Sequence, residues 1–138
     1  ISRGLVGSEM CIRDSGGGYY EYHPDGSKNI WPGLYDLYFD KSKDIPETDM
    51  KDRLMFRQVI EALKCLETGV LRSVADGNIG SIMGIGAPPH TGGLIQFVNT
   101  CGKEAFIERC KTLEAAYGER FKCPQIVHEM LEKEEMFV

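Results

Sequence analysis

The sequence predicts an all-α domain, a compact bundle of about five helices, behind an extended leader rich in aromatic and turn residues. Three observations carry that prediction. From Asp49 onward, apolar residues recur at three- and four-residue steps, the spacing that gathers side chains on one helix face. No stretch after Asp49 alternates apolar and polar residues as a half-buried strand does. Gly69, Gly102 and Gly118 stand where the periodic runs stop, and glycine accepts the left-handed backbone that ends a helix.

The first segment, residues 1–15, shows neither period. Met10-Cys11-Ile12-Arg13-Asp14-Ser15 is what ATG-TGT-ATA-AGA-GAC-AG, closed by one more base, encodes. That string matches a transposon end used to prepare sequencing libraries, so the segment is expected to be a translated adapter. The alternative is a disordered natural N-terminus. Genomic DNA running unbroken across Ser15, without an adapter match, would remove the first reading.

Gly16-Gly17-Gly18 leads into Tyr19-Tyr20-Glu21-Tyr22, whose aromatics favour a short extended piece. His23-Pro24-Asp25-Gly26-Ser27 reads as a turn. Ile30-Trp31-Pro32-Gly33-Leu34 places an aromatic before another break, leaving a choice between a small hairpin and an extended linker. Ile45-Pro46 marks a boundary before a helix.

In the first predicted helix, Asp49–Thr68, the inward stripe is Met50, Leu54, Ile60 with Val59, Leu63 and Leu66, continued by Val70. Arg53, Arg57, Glu61 and Lys64 take the outer face, Thr48 or Asp49 is the N-cap, and Gly69 is the stop. Ser73 with Asp76 resembles a capping box at the start of a second helix, striped by Ile79, Ile82 and Met83. The third helix, around Leu94, Ile95, Phe97 and Val98, is nearly all apolar and is expected to be buried. A fourth spans Lys103–Tyr117, with Phe106, Ile107, Cys110, Leu113 and Tyr117 on one stripe. Pro124 starts a fifth, with Ile126, Val127, Met130 and Leu131 inward and Phe137 folding back as an anchor. Glu129, Glu132, Glu134 and Glu135 read as a solvated face.

At 138 residues, 42% hydrophobic and 27% charged, the chain can bury a real core. Its net charge of −5, with Lys and Arg dispersed among acids, argues against a nucleic-acid partner. No apolar run approaches the roughly 20 residues of a membrane span, and the N-terminus lacks the apolar core of a signal peptide. Among Cys11, Cys65, Cys101, Cys110 and Cys123 there is no CxxC pair and no zinc spacing. Cys65, Cys101 and Cys110 sit among apolar residues at helical positions, as small buried hydrophobes of a reducing, cytoplasmic compartment do.

The one stretch that invites a binding role is the loop Gly84, Gly86, Pro88, Pro89, Thr91, Gly92, Gly93. It is neither GxxxxGK[ST] nor GxGxxG. Read structurally, the glycines permit close helix packing and the prolines set a crossing angle, as in an interface loop. Read functionally, N–H groups at the next helix start, near Thr91, Gly92 and Gly93, hold an anion such as a CoA phosphate, although no cation in the loop reinforces it. His23, His90 and His128 join no triad or HExxH pair, and Ser73 and Ser81 sit in no GxSxG elbow. The residues therefore assign no catalytic group, metal site or cofactor site.

Three stretches together resemble a known family. Gly16-Gly17-Gly18-Tyr19-Tyr20-Glu21-Tyr22 is similar to the GxGFYxY signature near the end of the first C-terminal helical domain of 3-hydroxyacyl-CoA dehydrogenases. Arg53 through Gly69 resembles the first helix of the second such domain in multifunctional fatty-acid β-oxidation proteins. Ser73 to Gly93 resembles the run of helix, glycine turn, proline pair and glycine pair that follows it. The likeness covers essentially Gly16 to the C-terminus.

The resemblance implies a bundle like the C-terminal domain of 6-phosphogluconate dehydrogenase. It makes residues 16–48 the tail of a first helical copy plus linker, and 49–138 a second copy packing as a pseudo-dimer. A Rossmann domain binding NAD and carrying a catalytic His–Glu pair would lie upstream, after an enoyl-CoA hydratase domain. The parent would transfer hydride from an L-3-hydroxyacyl-CoA to NAD. The missing Rossmann and first helical domains would be this chain's partners, and acyl-CoA the parent's substrate. No catalytic residue carries over, and no cofactor is expected on this chain itself. Ala87 departs from the family, which often has Phe before the proline pair. The alternative is a stand-alone helical interaction module without activity. An in-frame GxGxxG βαβ unit upstream, or a start codon just before Gly16, separates the two.

Overall fold

The computed structural model describes residues 19–40 and 42–138, so the expected adapter segment and the three glycines at 16–18 lie outside the described residues. The chain divides into two compact units, one up to Asp44 and one from Ile45 to Val138.

The first unit settles the choice left open for the leader. Strands β1 (Tyr20–Tyr22) and β2 (Lys28–Ile30) pair antiparallel, with Tyr20 opposite Ile30 and Tyr22 opposite Lys28. Gly26 makes the reversal at φ +83°, and the Asp25 carboxylate accepts from Ser27 N at 2.9 Å. Helix α1 (Gly33–Tyr38) follows, where the sequence suggested only a break. Pro32 precedes it, and proline is tolerated at a helix start because its missing N–H would have no intrahelical partner there. At six residues, α1 is too short to show a period.

The second unit is helical, as predicted. Helix α2 spans Glu47–Glu67, starting two residues before the expected Asp49, with Pro46 rather than Thr48 or Asp49 at the N-cap. Its expected stripe holds in the second half of the helix, where Val59, Ile60 and Leu63 are buried and Leu66 is half-buried, and fails in the first half. Phe56, Val59, Ile60 and Leu63 are buried, while Met50, Leu54 (71% exposed) and Val70 are outside. Arg53, assigned to solvent, is half-buried with its guanidinium 4.4 Å from the Tyr117 ring centroid. Gly69 stops the helix region at φ +75°, as expected.

Helix α3 (Val74–Ile85) is capped by Ser73, whose hydroxyl accepts from Asp76 N at 3.1 Å. The Asp76 carboxylate turns to Arg72 at 3.4 Å. Two of the three residues of the predicted apolar stripe turn outward: Ile79 is 64% and Met83 82% exposed, Ile82 is half-buried, and the buried residues are Gly77 and Ser81. A 3-10 turn at Pro89–Thr91 leads to α4 (Gln96–Cys101), with Leu94, Ile95 and Val98 buried.

Helix α5 (Lys103–Tyr117) matches its predicted span and buries Phe106, Ile107, Cys110 and Leu113, with Tyr117 half-buried. Phe106 stacks on Phe56 of α2, centroids 4.8 Å apart. A second 3-10 turn, Glu119–Phe121, buries Phe121, which the sequence did not single out. Helix α6 (Gln125–Glu132) follows Pro124 and buries Val127, with Ile126, Met130 and Leu131 half-buried. One of its free N-terminal donors is met from α2, where the Glu67 carboxylate accepts from Ile126 N at 3.0 Å. Phe137 does fold back: it is buried, and Asn99 both donates to its carbonyl (2.8 Å) and accepts from its N–H (3.1 Å). The C-terminal glutamates are exposed.

Candidate functional site

The loop singled out by sequence sits between α3 and α4, and its geometry follows from the small inner face of α3. A Cβ on Gly93 would lie 2.5 Å from Asn78 Cα, so only glycine lets the strand of chain entering α4 come this close. Gly93 also has φ +114°, a second reason for glycine there. A Cβ on Gly77 would meet Ile95 Cδ1 at 2.5 Å. Gly86 closes α3 in the left-handed region at φ +71°, and Ala87 N, the next residue's donor, reaches Ser81 O at 2.9 Å. Gly84 has neither a positive φ nor a close neighbour.

Close approach puts two polar side chains of α3 against the start of α4. Asn78 Oδ1 accepts from both Ile95 N (3.0 Å) and Gln96 N (2.9 Å). Ser81 Oγ accepts from Leu94 N at 3.1 Å and donates to Asn78 O at 2.8 Å. Thr91 is buried, its hydroxyl donating to Pro88 O at 2.7 Å and accepting from Gly93 N at 3.3 Å. Gly92 N is held by Pro89 O and Thr91 N by Pro88 O, both at 3.1 Å. Each N–H from Thr91 to Gln96 thus has an acceptor within the chain, so the anion reading finds its donors already taken. Pro88 is half-buried; Gly84, Gly86, Pro89, His90 and Gly92 are exposed. Asn78 was missed by sequence reasoning. Its signal was a weak one: an amide in mid-helix, where asparagine is unfavourable unless its side chain has another task.

A second polar cluster, also missed, joins α2 to α5. Arg109 donates from Nη2 to Asp49 (2.6 Å) and from Nε to Asp52 (2.7 Å), and Tyr117 OH donates to Asp49 at 2.7 Å. These hydrogen bonds, Arg109's first and Tyr117's second, hold the Asp49 carboxyl below its ordinary range. The same contact with Asp49 pushes the Tyr117 phenol up. Asp49 is therefore one jaw of a tertiary clamp rather than the expected helix cap.

The cysteines divide. Cys110 is buried; Cys65, Cys101 and Cys123 are half-buried and free. A hydrogen bond with Cys123, followed by burial, raises the Cys110 thiol well above its usual value, keeping it protonated. Among the described residues, no group of three or more His, Cys, Asp and Glu could hold a metal ion. No described helix is long and apolar enough to cross a membrane.

Outside the core, two grooves run along the face of α2 that looks away from its buried stripe. One, about 530 Å³, is lined by Met50, Arg53, Leu54, Arg120 and Phe121. The other, about 410 Å³, lies between α2 and α3, with Ala62, Cys65, Gly77, Gly80 and Ile85 in its walls. Arg57 and Gln58 line both.

The chain is 31% identical over 140 residues to the fatty acid oxidation complex subunit alpha of Shewanella sp. (strain MR-4), a match covering 96% of this chain and 20% of that protein. It is 35% identical over 114 residues to the subunit alpha of Vibrio cholerae serotype O1 (strain ATCC 39315 / El Tor Inaba N16961), covering 79% of this chain and 16% of that protein. The chain is a homologue of part of the fatty acid oxidation complex alpha subunit. It spans about one fifth of the length of the curated relatives it matches. No protein family model matches it.

Proposed function

We propose that this chain is the helical end of an NAD-dependent L-3-hydroxyacyl-CoA dehydrogenase of fatty-acid β-oxidation, serving there as scaffold and interface. The observation that carries the reading is where its large apolar side chains lie. Ile79, Met83 and Ile85 on α3, and Met50 and Leu54 on α2, are all exposed while the same helices bury Gly77, Ser81 and a separate stripe. Solvated apolar side chains at this density mark a surface that another part of a protein covers. The similarity to about one fifth of much longer chains supplies such a part.

In this reading NAD is held outside the described residues. The described strands form a single antiparallel hairpin, whereas a dinucleotide site needs a parallel βαβ crossover with a glycine-rich turn. In this reading the nucleotide and the reacting carbon belong to the preceding domains. The loop at Gly84 to Gly93 shapes the α3–α4 corner as an interface loop. The chain works as part of a protein in a reducing, cytoplasmic compartment.

The test compares the purified chain with the full-length parent polypeptide. The expected result is NAD binding and oxidation of a 3-hydroxyacyl-CoA by the parent and neither by the chain alone. Stoichiometric NAD binding by the isolated chain in calorimetry, or thioester turnover by it, would overturn the proposal.

A further inference from the structure

The covered surface also carries charge that apolar matching leaves unused. Arg57 pairs with Glu61 at 2.5 Å, Arg72 with Asp76 at 3.4 Å, and Arg109 with Asp49 and Asp52. Among the described residues Arg53 and Arg120 form no ion pair, in a chain with 21 acids and 16 bases, and the Asp49 carboxylate that feels the charge of Arg53 is already bonded to Arg109 and Tyr117. Both line the groove beside Met50 and Leu54. Arg53 Nε is buried with no hydrogen-bond partner, and a buried donor without one is costly. Aromatic rings fix both guanidinium groups: Arg53 over Tyr117 at 4.4 Å and Arg120 over Phe121 at 5.4 Å. Guanidinium groups held in this way are prepared for a carboxylate, whose two oxygens match their fork.

We infer that the grooved face of α2 receives an acidic amphipathic helix of the neighbouring domain, its apolar stripe over Met50 and Leu54 and its Asp or Glu side chains on Arg53 and Arg120. The two grooves join through Arg57 and Gln58 and follow α2 from Met50 to Cys65, about 22 Å at 1.5 Å per residue. That length suits a helix of four turns. At the far end the wall is Ala62, Gly77 and Gly80, small residues that let a second helix come close. The acids at that end, Glu61 and Asp76, already have partners within the chain, so the unmatched charge is wholly positive and selects an acidic occupant. The inference rests on the proposed function and adds the chemistry of the docking element.

The test introduces Arg120→Glu, Arg53→Glu with Arg120→Glu, and Leu54→Asp into both the isolated chain and the full-length parent, and reads thermal midpoints. Arg120 is exposed and contacts Arg57 only through its carbonyl, so Arg120→Glu should leave the isolated chain folded by circular dichroism and its midpoint unchanged. In the parent it should lower the midpoint by at least about 3 °C, with a larger loss for the double variant. Raising salt should shrink the difference between wild type and variant. If Leu54→Asp weakens the parent and the arginine variants do not, docking stands and this inference fails. If none of the three distinguishes parent from isolated chain, both fail. Self-association of the isolated wild-type chain through this face, seen as a dimer that Arg120→Glu dissolves, would also overturn it.

Discussion

Helices α3 and α5 both carry large apolar residues at helical spacing, and they use them in opposite ways. α5 buries Phe106, Ile107, Cys110 and Leu113 against α2 and its neighbours. α3 buries Gly77 and Ser81 and leaves Ile79, Met83 and Ile85 outside. Apolar periodicity marks a face that something must cover, without saying whether the cover belongs to the same unit. The small face of α3 lets the chain entering α4 come so close that a Cβ on Gly93 would lie 2.5 Å from Asn78 Cα, and the polar atoms of α3 then replace α4's missing hydrogen-bond partners. A helix built that way spends its core-facing side on caps and has its bulk left for a partner.

The comparison breaks first at Gly93. Gly93→Ala adds positive-φ strain to a clash with Asn78 backbone, and should cost about 2–6 kcal/mol in urea unfolding of the isolated chain. Tolerance of alanine would mean that α3 and α4 do not approach as described. Next, Leu113→Ala on α5 should cost about 2–5 kcal/mol, as a buried leucine does. Asn78→Ala should cost about 1–3 kcal/mol, because two N–H groups lose one acceptor, and Asn78→Asp, which keeps an oxygen there, should restore most of it. Equal losses for Ala and Asp would remove the capping role.

Acidity should separate the two helices as well. Asp49 has a lowered pKa in the folded chain, so the stability it lends is complete above the unfolded value and drains as pH falls below about 4. Tyr117 has a raised pKa, so its share is complete below the unfolded value and drains as pH rises past about 10. Hydrogen exchange should therefore show the α2–α5 end loosening at both extremes. The Asn78–Ser81 corner, held by neutral groups, should not follow. The smallest effects belong to the outer face of α3. Met83→Ser should change the isolated chain by no more than about 0.5 kcal/mol. Gly84→Ala should be neutral or gain up to about 1 kcal/mol, since nothing crowds that position.

Read from sequence, α5 was legible from end to end because its stripe is wide, continuous and bounded by Gly102 and Gly118. α6 was legible through Pro124 at its start and its apolar spacing, and Phe137 as a lone aromatic beyond the charged end. α2 was legible as a helix and in its inner face at Val59, Ile60 and Leu63, but not in its first turns, where Leu54 and Arg53 exchange their expected surroundings and Tyr117 offers Arg53 a ring. α1 escaped because six residues hold less than two turns. The loop drew the eye through its glycines, but their purpose lay in Asn78 and Ser81, polar residues of the preceding helix that no motif flags. The Asp49–Arg109 clamp joins residues 60 apart in the chain, a separation at which spacing carries no information.

By itself the sequence determined that the second unit is helical, where most of its helices start and stop, and which family its segments resemble. Those properties depend on local spacing, on proline and glycine, and on strings of residues that can be compared directly. Only the tertiary structure decided which way each stripe points, which N–H groups remain free, and which arginines find no carboxylate. Such outcomes depend on what a neighbouring element offers at a few ångströms, and a chain does not record its neighbours in its own local order.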